Sequence, residues 1–149
     1  MTTFDPRTTL ARPDLAADTL RGQVYASQYA SGQRMTVIKS TVPLFSEPRG
    51  DGAMQTELLF GETITVLEQS PEGWSWGQSD LDHYVGYLPS DALSVQHHKP
   101  THRVTSLRSF VYANASIKLV PLTALSFGAR VHVIATHHQF SQLADGGFI

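Results

Sequence analysis

Residues 58–67 read LLFGETITVL, and residues 125–134 read LSFGARVHVI. The two stretches align at an offset of 67 residues, which is the separation of Gly61 and Gly128. After each glycine, apolar β-branched residues alternate with polar ones, a pattern typical of a strand with one buried face. A glycine just before such a strand suits a turn that needs positive φ. The chain therefore contains an internal repeat built from β-strands.

The repeat extends beyond these two stretches. Further matches keep their order along the chain: residues 44–45 with 111–112 at the same offset, Trp74 with Phe140 at an offset of 66, and residues 86–88 with 147–149 at an offset of 61. Most of the shortening, from 66 to 61, falls between Trp74 and Gly86, where a hairpin can lose residues without disturbing a barrel. Short strands separated by Gly and Pro favour a small β-barrel over a helical design. We predict an all-β protein with two small β-barrels in tandem.

The bounds of the repeat divide the chain into three predicted parts. They are an N-terminal arm with one short helix (residues 1–34), a first barrel (residues 35–96) and a second barrel that lacks its last few residues (residues 97–149). The helix is predicted from Pro13 in its first turn and Gly22 at its end, with apolar residues between them: Leu15, Ala16, Ala17 and Leu20. A short helical turn is expected over residues 89–93, before the last strand of the first barrel.

The composition excludes several kinds of site. The chain has 149 residues and no cysteine, so it holds no disulfide, thiolate metal ligand or cysteine nucleophile. Its formal net charge of −2 gives no indication of nucleic acid binding. No apolar run reaches the roughly 20 residues of a membrane span, and charged residues interrupt the N-terminal segment where a secretory signal needs an apolar core. We therefore expect a cytoplasmic protein with no membrane, nucleic acid or cofactor partner.

The histidines raise the question of a metal site. Five of them fall in the predicted linker and in one turn: His97, His98, His102, His137 and His138. None stands in a helical His-x3-His pattern with a carboxylate, and no thiolate is available. No serine stands in a nucleophile elbow either. We expect solvated loop histidines, no metal site and no catalytic residue in this chain.

Charge is divided unevenly between the two repeats. Residues 35–96 contain two basic and nine acidic residues, a net charge of −7, whereas residues 97–149 contain five basic residues and one acidic residue, a net charge of +4. Opposite charges could draw the repeats together or orient them on a charged partner. A chance distribution of solvated residues is the alternative.

Four short motifs carry a resemblance to a known family. They are VPLF at 42–45, LFGE at 59–62, GWSW at 73–76 and YVGYLP at 84–89. Their order resembles the bacterial SH3 (SH3b) domain. The whole chain is similar to the N-terminal part of proteobacterial NlpC/P60-type cysteine peptidases, from a leader at residues 5–24 to the ending LADGGFI at residues 143–149.

The resemblance implies a function. In that family a peptidase domain with a Cys-His-polar triad follows two SH3-like barrels and cleaves the γ-D-glutamyl–diamino acid bond of murein peptides. This chain would be the non-catalytic SH3b region of such an enzyme, serving substrate positioning and docking of its own C-terminal peptidase domain. The alternative is a stand-alone SH3b module that binds peptidoglycan or a protein partner.

Four residues of the first repeat are candidate substrate contacts: Glu62, Trp76, Tyr84 and Tyr87. Ala129 and Gln142 occupy the positions of Glu62 and Trp76 in the second repeat, so the barrel does not require the acid or the indole. The resemblance implies that the first SH3b domain borders the peptidase cleft and holds the free amino end of the substrate. Carboxylate and phenol oxygens can accept hydrogen bonds from an ammonium group. An ordinary protein interface is the alternative for exposed aromatic residues.

Overall fold

The computed structural model describes residues 4–149, which form β-strands joined by turns, without any α-helix. The first three residues of the predicted arm lie outside the described residues. The strands up to the linker are β1 (Leu15–Ala17), β2 (Gln28–Ala30), β3 (Gln33–Val37), β4 (Thr41–Phe45), β5 (Met54–Leu59), β6 (Thr63–Gln69), β7 (Trp74–Ser79), β8 (Val85–Pro89) and β9 (Leu93–Ser94). Those that follow are β10 (His102–Arg103), β11 (Arg108–Val111), β12 (Thr123–Ser126), β13 (Arg130–Val131), β14 (Val133–His137) and β15 (Phe140–Leu143). The predicted all-β class is confirmed.

A seven-stranded antiparallel sheet contains most strands of the first repeat. Its order is β5-β4-β8-β7-β6-β3-β9. Leu58 of β5 and Leu93 of β9 come from opposite ends of this order yet belong to one apolar core, so the sheet wraps around that core. The two edge strands share no backbone ladder, and the sheet is therefore not the closed barrel that was predicted. β9 has only two residues, both paired with β3, which leaves no length to close the sheet.

The second repeat is built from three short antiparallel pairs. β10 pairs with β13, β11 with β12, and β14 with β15. Their inner side chains form a second core: Val104, Val111, Leu125, Ala129, Val131 and Leu143. The backbone of Phe148 exchanges hydrogen bonds with Tyr112, and that of Ile149 exchanges them with Ser141. Among the described residues this half is also not a closed barrel, because its strands of two to five residues form separate ladders.

One backbone arrangement recurs at the offset found in the sequence. The N–H of Gly61 donates to the carbonyl of Val37, and the N–H of Gly128 donates to that of Val104, both at 2.9 Å. The two glycines have φ values of 80° and 94°, the positive φ predicted for these turns.

The predicted helix of the arm is wrong. Leu15–Ala17 form β1, which pairs in parallel with β2, and only Asp18–Leu20 make a single 3-10 turn. Ala16 is fully buried, while Leu15 and Ala17 pack against the outer face of the large sheet. Strand pairing and burial outweigh the weak helix propensity of so short a segment. The helical turn predicted over residues 89–93 is confirmed as a 3-10 turn at Ser90–Ala92.

The two repeats meet at the turn that carries Gly61. The N–H of Arg130 donates to the carbonyl of Phe60 at 2.8 Å, and the Phe60 ring packs against the second core. Ser40 Oγ also donates to the carbonyl of Ala124. A Cβ at Gly61 would stand 1.9 Å from the carbonyl oxygen of Arg130, so the close approach of the two backbones needs glycine here. No helix within residues 4–149 is long and apolar enough to cross a membrane.

Candidate functional site

The structure brings together two of the four candidate residues, Trp76 and Tyr87. They face each other across β7 and β8, with ring centroids 6.4 Å apart. Both belong to an apolar cluster separate from the first core, whereas Leu88, the neighbour of Tyr87 on β8, lies in that core. Trp76 is nevertheless only 3% exposed. Another part of the chain must therefore cover it.

The cover is Arg12 of the N-terminal arm. Its guanidinium carbon lies 4.3 Å from the centroid of the Trp76 ring, a cation–π contact. Its Nη1 donates to Glu68 Oε2 at 2.7 Å and to the Tyr87 hydroxyl at 3.1 Å, and its Nη2 donates to Asp14 Oδ2 at 2.8 Å. Burial alone would lower the pKa of Arg12, but these hydrogen bonds raise it above its ordinary value. The guanidinium thus remains charged and ties the arm to the sheet.

Backbone contacts hold the rest of the arm in place. The N–H of Val85 donates to the carbonyl of Arg7 at 2.7 Å, and Gln78 Nε2 donates to the carbonyl of Thr8 at 2.8 Å. Leu10 is buried in one apolar cluster with Trp76 and Val85. The arm therefore closes this face with both apolar and polar contacts.

Glu62 and Tyr84, the other two candidates, stand just before β6 and β8. Glu62 is 7% exposed, and its Oε2 accepts a hydrogen bond from the N–H of Leu59 at 3.1 Å. Burial raises the pKa of Glu62 and the charge of Asp82 raises it further, whereas the Leu59 hydrogen bond and the charge of Arg130 lower it. Tyr84 is half-buried against the first core, and its N–H donates to Asp82 Oδ1 at 3.2 Å. Asp82 therefore lies next to Tyr84.

A cleft of about 320 Å³ opens beside Arg12. Its walls include Pro48, Glu68, Glu72, Trp74 and Tyr87. Tyr87 can thus be reached from solvent on the side that Arg12 does not cover. Within residues 4–149 no group of three histidine, aspartate or glutamate residues is placed to hold a metal ion.

Arg12 and Glu68 are groups beside the candidate residues that sequence reasoning missed. Arg12 lies in the segment predicted as a helix start, where nothing indicates an aromatic partner 64 residues away. Glu68 entered the sequence analysis only as a member of a net charge, whereas the longer hairpin of the first repeat predicts an outward position for Asp80, Asp82 and Tyr84. The five histidines named above are all exposed, but His102 and His137 lie in β10 and β14 rather than in loops.

Comparison with known proteins agrees with part of the resemblance. Residues 44–93 match the family model of the bacterial dipeptidyl-peptidase SH3 domain, so this part of the chain is similar to that domain. The chain is similar in structure to an NlpC/P60 family protein from Bacillus cereus, at 15% sequence identity and a TM-score of 0.58, over 77% of this chain and 52% of that one. NlpC2 from Trichomonas vaginalis is similar at 15% identity and a TM-score of 0.36, over 80% of this chain and 46% of that one. No curated protein sequence matches. The chain spans about half the length of these two structures.

Proposed function

We propose that this chain is the non-catalytic SH3b region of an NlpC/P60-type cell-wall peptide hydrolase, a γ-D-glutamyl–diamino acid endopeptidase. The observation that carries the proposal is the match of residues 44–93 to the SH3 domain of bacterial dipeptidyl-peptidases. The fold shared with an NlpC/P60 family protein over 77% of the chain supports it. The region would position a murein peptide and dock against the peptidase domain, in the cytoplasm.

The chain supplies binding groups rather than a nucleophile. It contains no cysteine, and a cysteine peptidase needs a thiolate activated by an adjacent base. Bond cleavage would therefore belong to the peptidase domain of the same polypeptide.

We assign the free amino end of the peptide to Glu62 and Tyr84, with Asp82 beside Tyr84. Asp82 Oδ1 accepts a hydrogen bond from the backbone N–H of Tyr84 at 3.2 Å, and the charge of Asp82 contributes to the raised pKa of Glu62. A carboxylate and a phenol oxygen can both accept hydrogen bonds from an ammonium. Trp76 and Tyr87 both border the open cleft, but Arg12 covers the Trp76 ring and leaves it 3% exposed, so Trp76 would gain a larger contact area with substrate only after the arm moves.

In the polypeptide that carries the peptidase domain, Tyr84→Phe and Glu62→Ala should each raise KM about tenfold for L-Ala-γ-D-Glu-diaminopimelate, with kcat nearly unchanged. A hydrogen bond to a charged group contributes about 1.5–3 kcal/mol, and this one is expected to be made equally in the ground and transition states. Steady-state kinetics with the free-amine peptide and its N-acetylated counterpart measure the effect.

Glu57→Ala is the matched control, because it removes an exposed carboxylate from the same sheet. Its KM should equal that of the parent. The N-acetylated peptide should be a poor substrate for the parent and lose little more in the variants. Parental KM values for both variants on the free-amine peptide would show that the pocket assignment is wrong.

A further inference from the structure

An aromatic arrangement on the outside of the first repeat recurs in the second. Phe45 and Trp74 make an edge-to-face pair with ring centroids 6.1 Å apart and an interplanar angle of 79°. Tyr112 and Phe140, which stand at the repeat-equivalent positions, are also 6.1 Å apart, at 87°. We call the first aromatic face Phe45, Trp74, Trp76 and Tyr87, and the second aromatic face Phe110, Tyr112, Phe140 and Phe148.

Three rings of the second aromatic face form a continuous row. The ring of Phe110 lies 6.4 Å from that of Tyr112, which contacts Phe140 in turn. Phe148, the equivalent of Tyr87, is placed beside this row by backbone bridges with Tyr112 and Gln142, and its ring contacts that of His137 at 5.6 Å.

The two faces differ in how they are covered. The arm buries Trp76 to 3% exposure on the first face. On the second face Phe110 remains 42% exposed, and the other three rings are half-buried, as are Phe45, Trp74 and Tyr87 on the first face. An aromatic row of this kind with solvent on one side is a common feature of protein interaction surfaces.

The charge beside the rings is reversed between the two faces. On the first face Glu68 receives the guanidinium of Arg12. Ala135 stands at the position of Glu68 in the second repeat, and Arg108 lies instead over the Phe110 ring, 4.9 Å from its centroid. In the part of the chain that the structure describes, no carboxylate lies within 4.0 Å of the Arg108 guanidinium. A carboxylate on a segment that covers this face would pair with Arg108, whereas on the first face the arm supplies the cation.

We propose that the second aromatic face is an interaction surface for an extended acidic segment of a partner protein, lying on it as the arm lies on the first face. The rings supply apolar contact area, and Arg108 favours a partner segment that carries negative charge. The net charge of +4 on residues 97–149 favours the same partner. This inference goes beyond the proposed function, because it requires neither a murein peptide nor a peptidase.

The probe is a peptide with the sequence of residues 8–17 that carries the R12E change, and the comparison peptide keeps Arg12. Both are added to the full 149-residue chain, and backbone amide shifts are followed by NMR. The R12E peptide should shift the amides of Phe110, Tyr112 and Gln142 and bind about fivefold more tightly than the natural sequence, as expected for one exposed ion pair. Shifts confined to the first aromatic face, or equal affinity for the two peptides, would overturn the proposal.

Charge reversal on the protein tests the same contact from the other side. Arg108→Glu should invert the preference between the two peptides, and Arg108→Gln should abolish it if the reversed variant does not fold. Arg103→Glu is the matched control, because Arg103 lies near a different ring, 5.9 Å from the centroid of Phe127, and it should change the affinity less than about twofold. Protection of the same amides by phosphatidylglycerol vesicles, without binding of the R12E peptide, would identify a lipid surface and overturn the proposal.

Discussion

Replacing Gly61 with alanine should lower the free energy of unfolding by about 3 kcal/mol. Gly61 has φ = 80°, a conformation that costs an L-residue roughly 1–2 kcal/mol. The added Cβ would also stand 1.9 Å from the carbonyl oxygen of Arg130, so the junction between the two repeats must open. Loss of the Phe60 contact with the second core accounts for the remainder, about 1–2 kcal/mol. Urea unfolding monitored by tryptophan fluorescence measures the change, because both tryptophans lie in β7.

Gly73→Ala measures the cost of backbone strain at a positive φ without the clash that a Cβ at Gly61 makes with Arg130. Gly73 has φ = 87°, but a Cβ there would meet nothing within 4 Å. This variant should lose only about 1 kcal/mol. If Gly61→Ala were no more destabilising than Gly73→Ala, the close contact of the two repeats at Arg130 would be refuted.

Arg12→Ala should destabilise the chain by about 2 kcal/mol and expose Trp76. The cation–π contact contributes about 0.5–2 kcal/mol. Each charged hydrogen bond would add about 1.5–3 kcal/mol if it were buried. The Glu68 side chain is 42% exposed, so water screens the bond and its contribution to stability is smaller. The tryptophan emission should move to longer wavelength, and quenching by acrylamide should increase, since the indole loses the group that shields it.

Arg21→Ala is the control for Arg12→Ala. Arg21 also lies over an aromatic ring, 4.4 Å from the centroid of Tyr29, and pairs with Asp18 at 3.0 Å. Its side chain is 64% exposed, so its removal should cost no more than about 0.5 kcal/mol. Unchanged tryptophan emission in Arg12→Ala would contradict the assignment of Arg12 as the cover of the first aromatic face.

Local patterns predict the strands of this protein well. Alternation after Gly61 and Gly128 identifies β6 and the β13–β14 region, and Pro71 and Gly73 mark the turn just before β7. These signals are short-range, because the pleat and the turn glycines are properties of neighbouring residues. The positive φ of both glycines could be predicted for the same reason.

Long-range pairing could not be predicted in the same way. The arm contains Pro13 and a run of apolar residues, which locally favour a helix, but Leu15–Ala17 pair with Gln28–Ala30 and bury against the sheet. Sheet closure likewise depends on the length of β9, which no periodicity reveals.

The candidate site shows the same limit. The sequence separates Trp76 from Trp74 by their counterparts in the second repeat, and on that basis Trp76 is interpreted as dispensable to the fold and available to a ligand. The structure instead buries Trp76 beneath Arg12. A large side chain that the second repeat lacks can still be buried in the first repeat, because a segment outside the repeats covers it there. The predicted role of Trp76 in substrate binding stays a prediction, and it now requires movement of the arm.

The central claim is that this chain serves a peptidase that cleaves murein peptides. It is tested most directly by precipitating the native polypeptide from its host with an antibody raised against residues 4–149 and assaying the precipitate on L-Ala-γ-D-Glu-diaminopimelate. We predict release of L-Ala-D-Glu, blocked by iodoacetamide, from a polypeptide longer than 149 residues, and no release from the purified 149-residue chain alone. A precipitate that contains the protein but does not cleave the γ-D-glutamyl bond would contradict the claim.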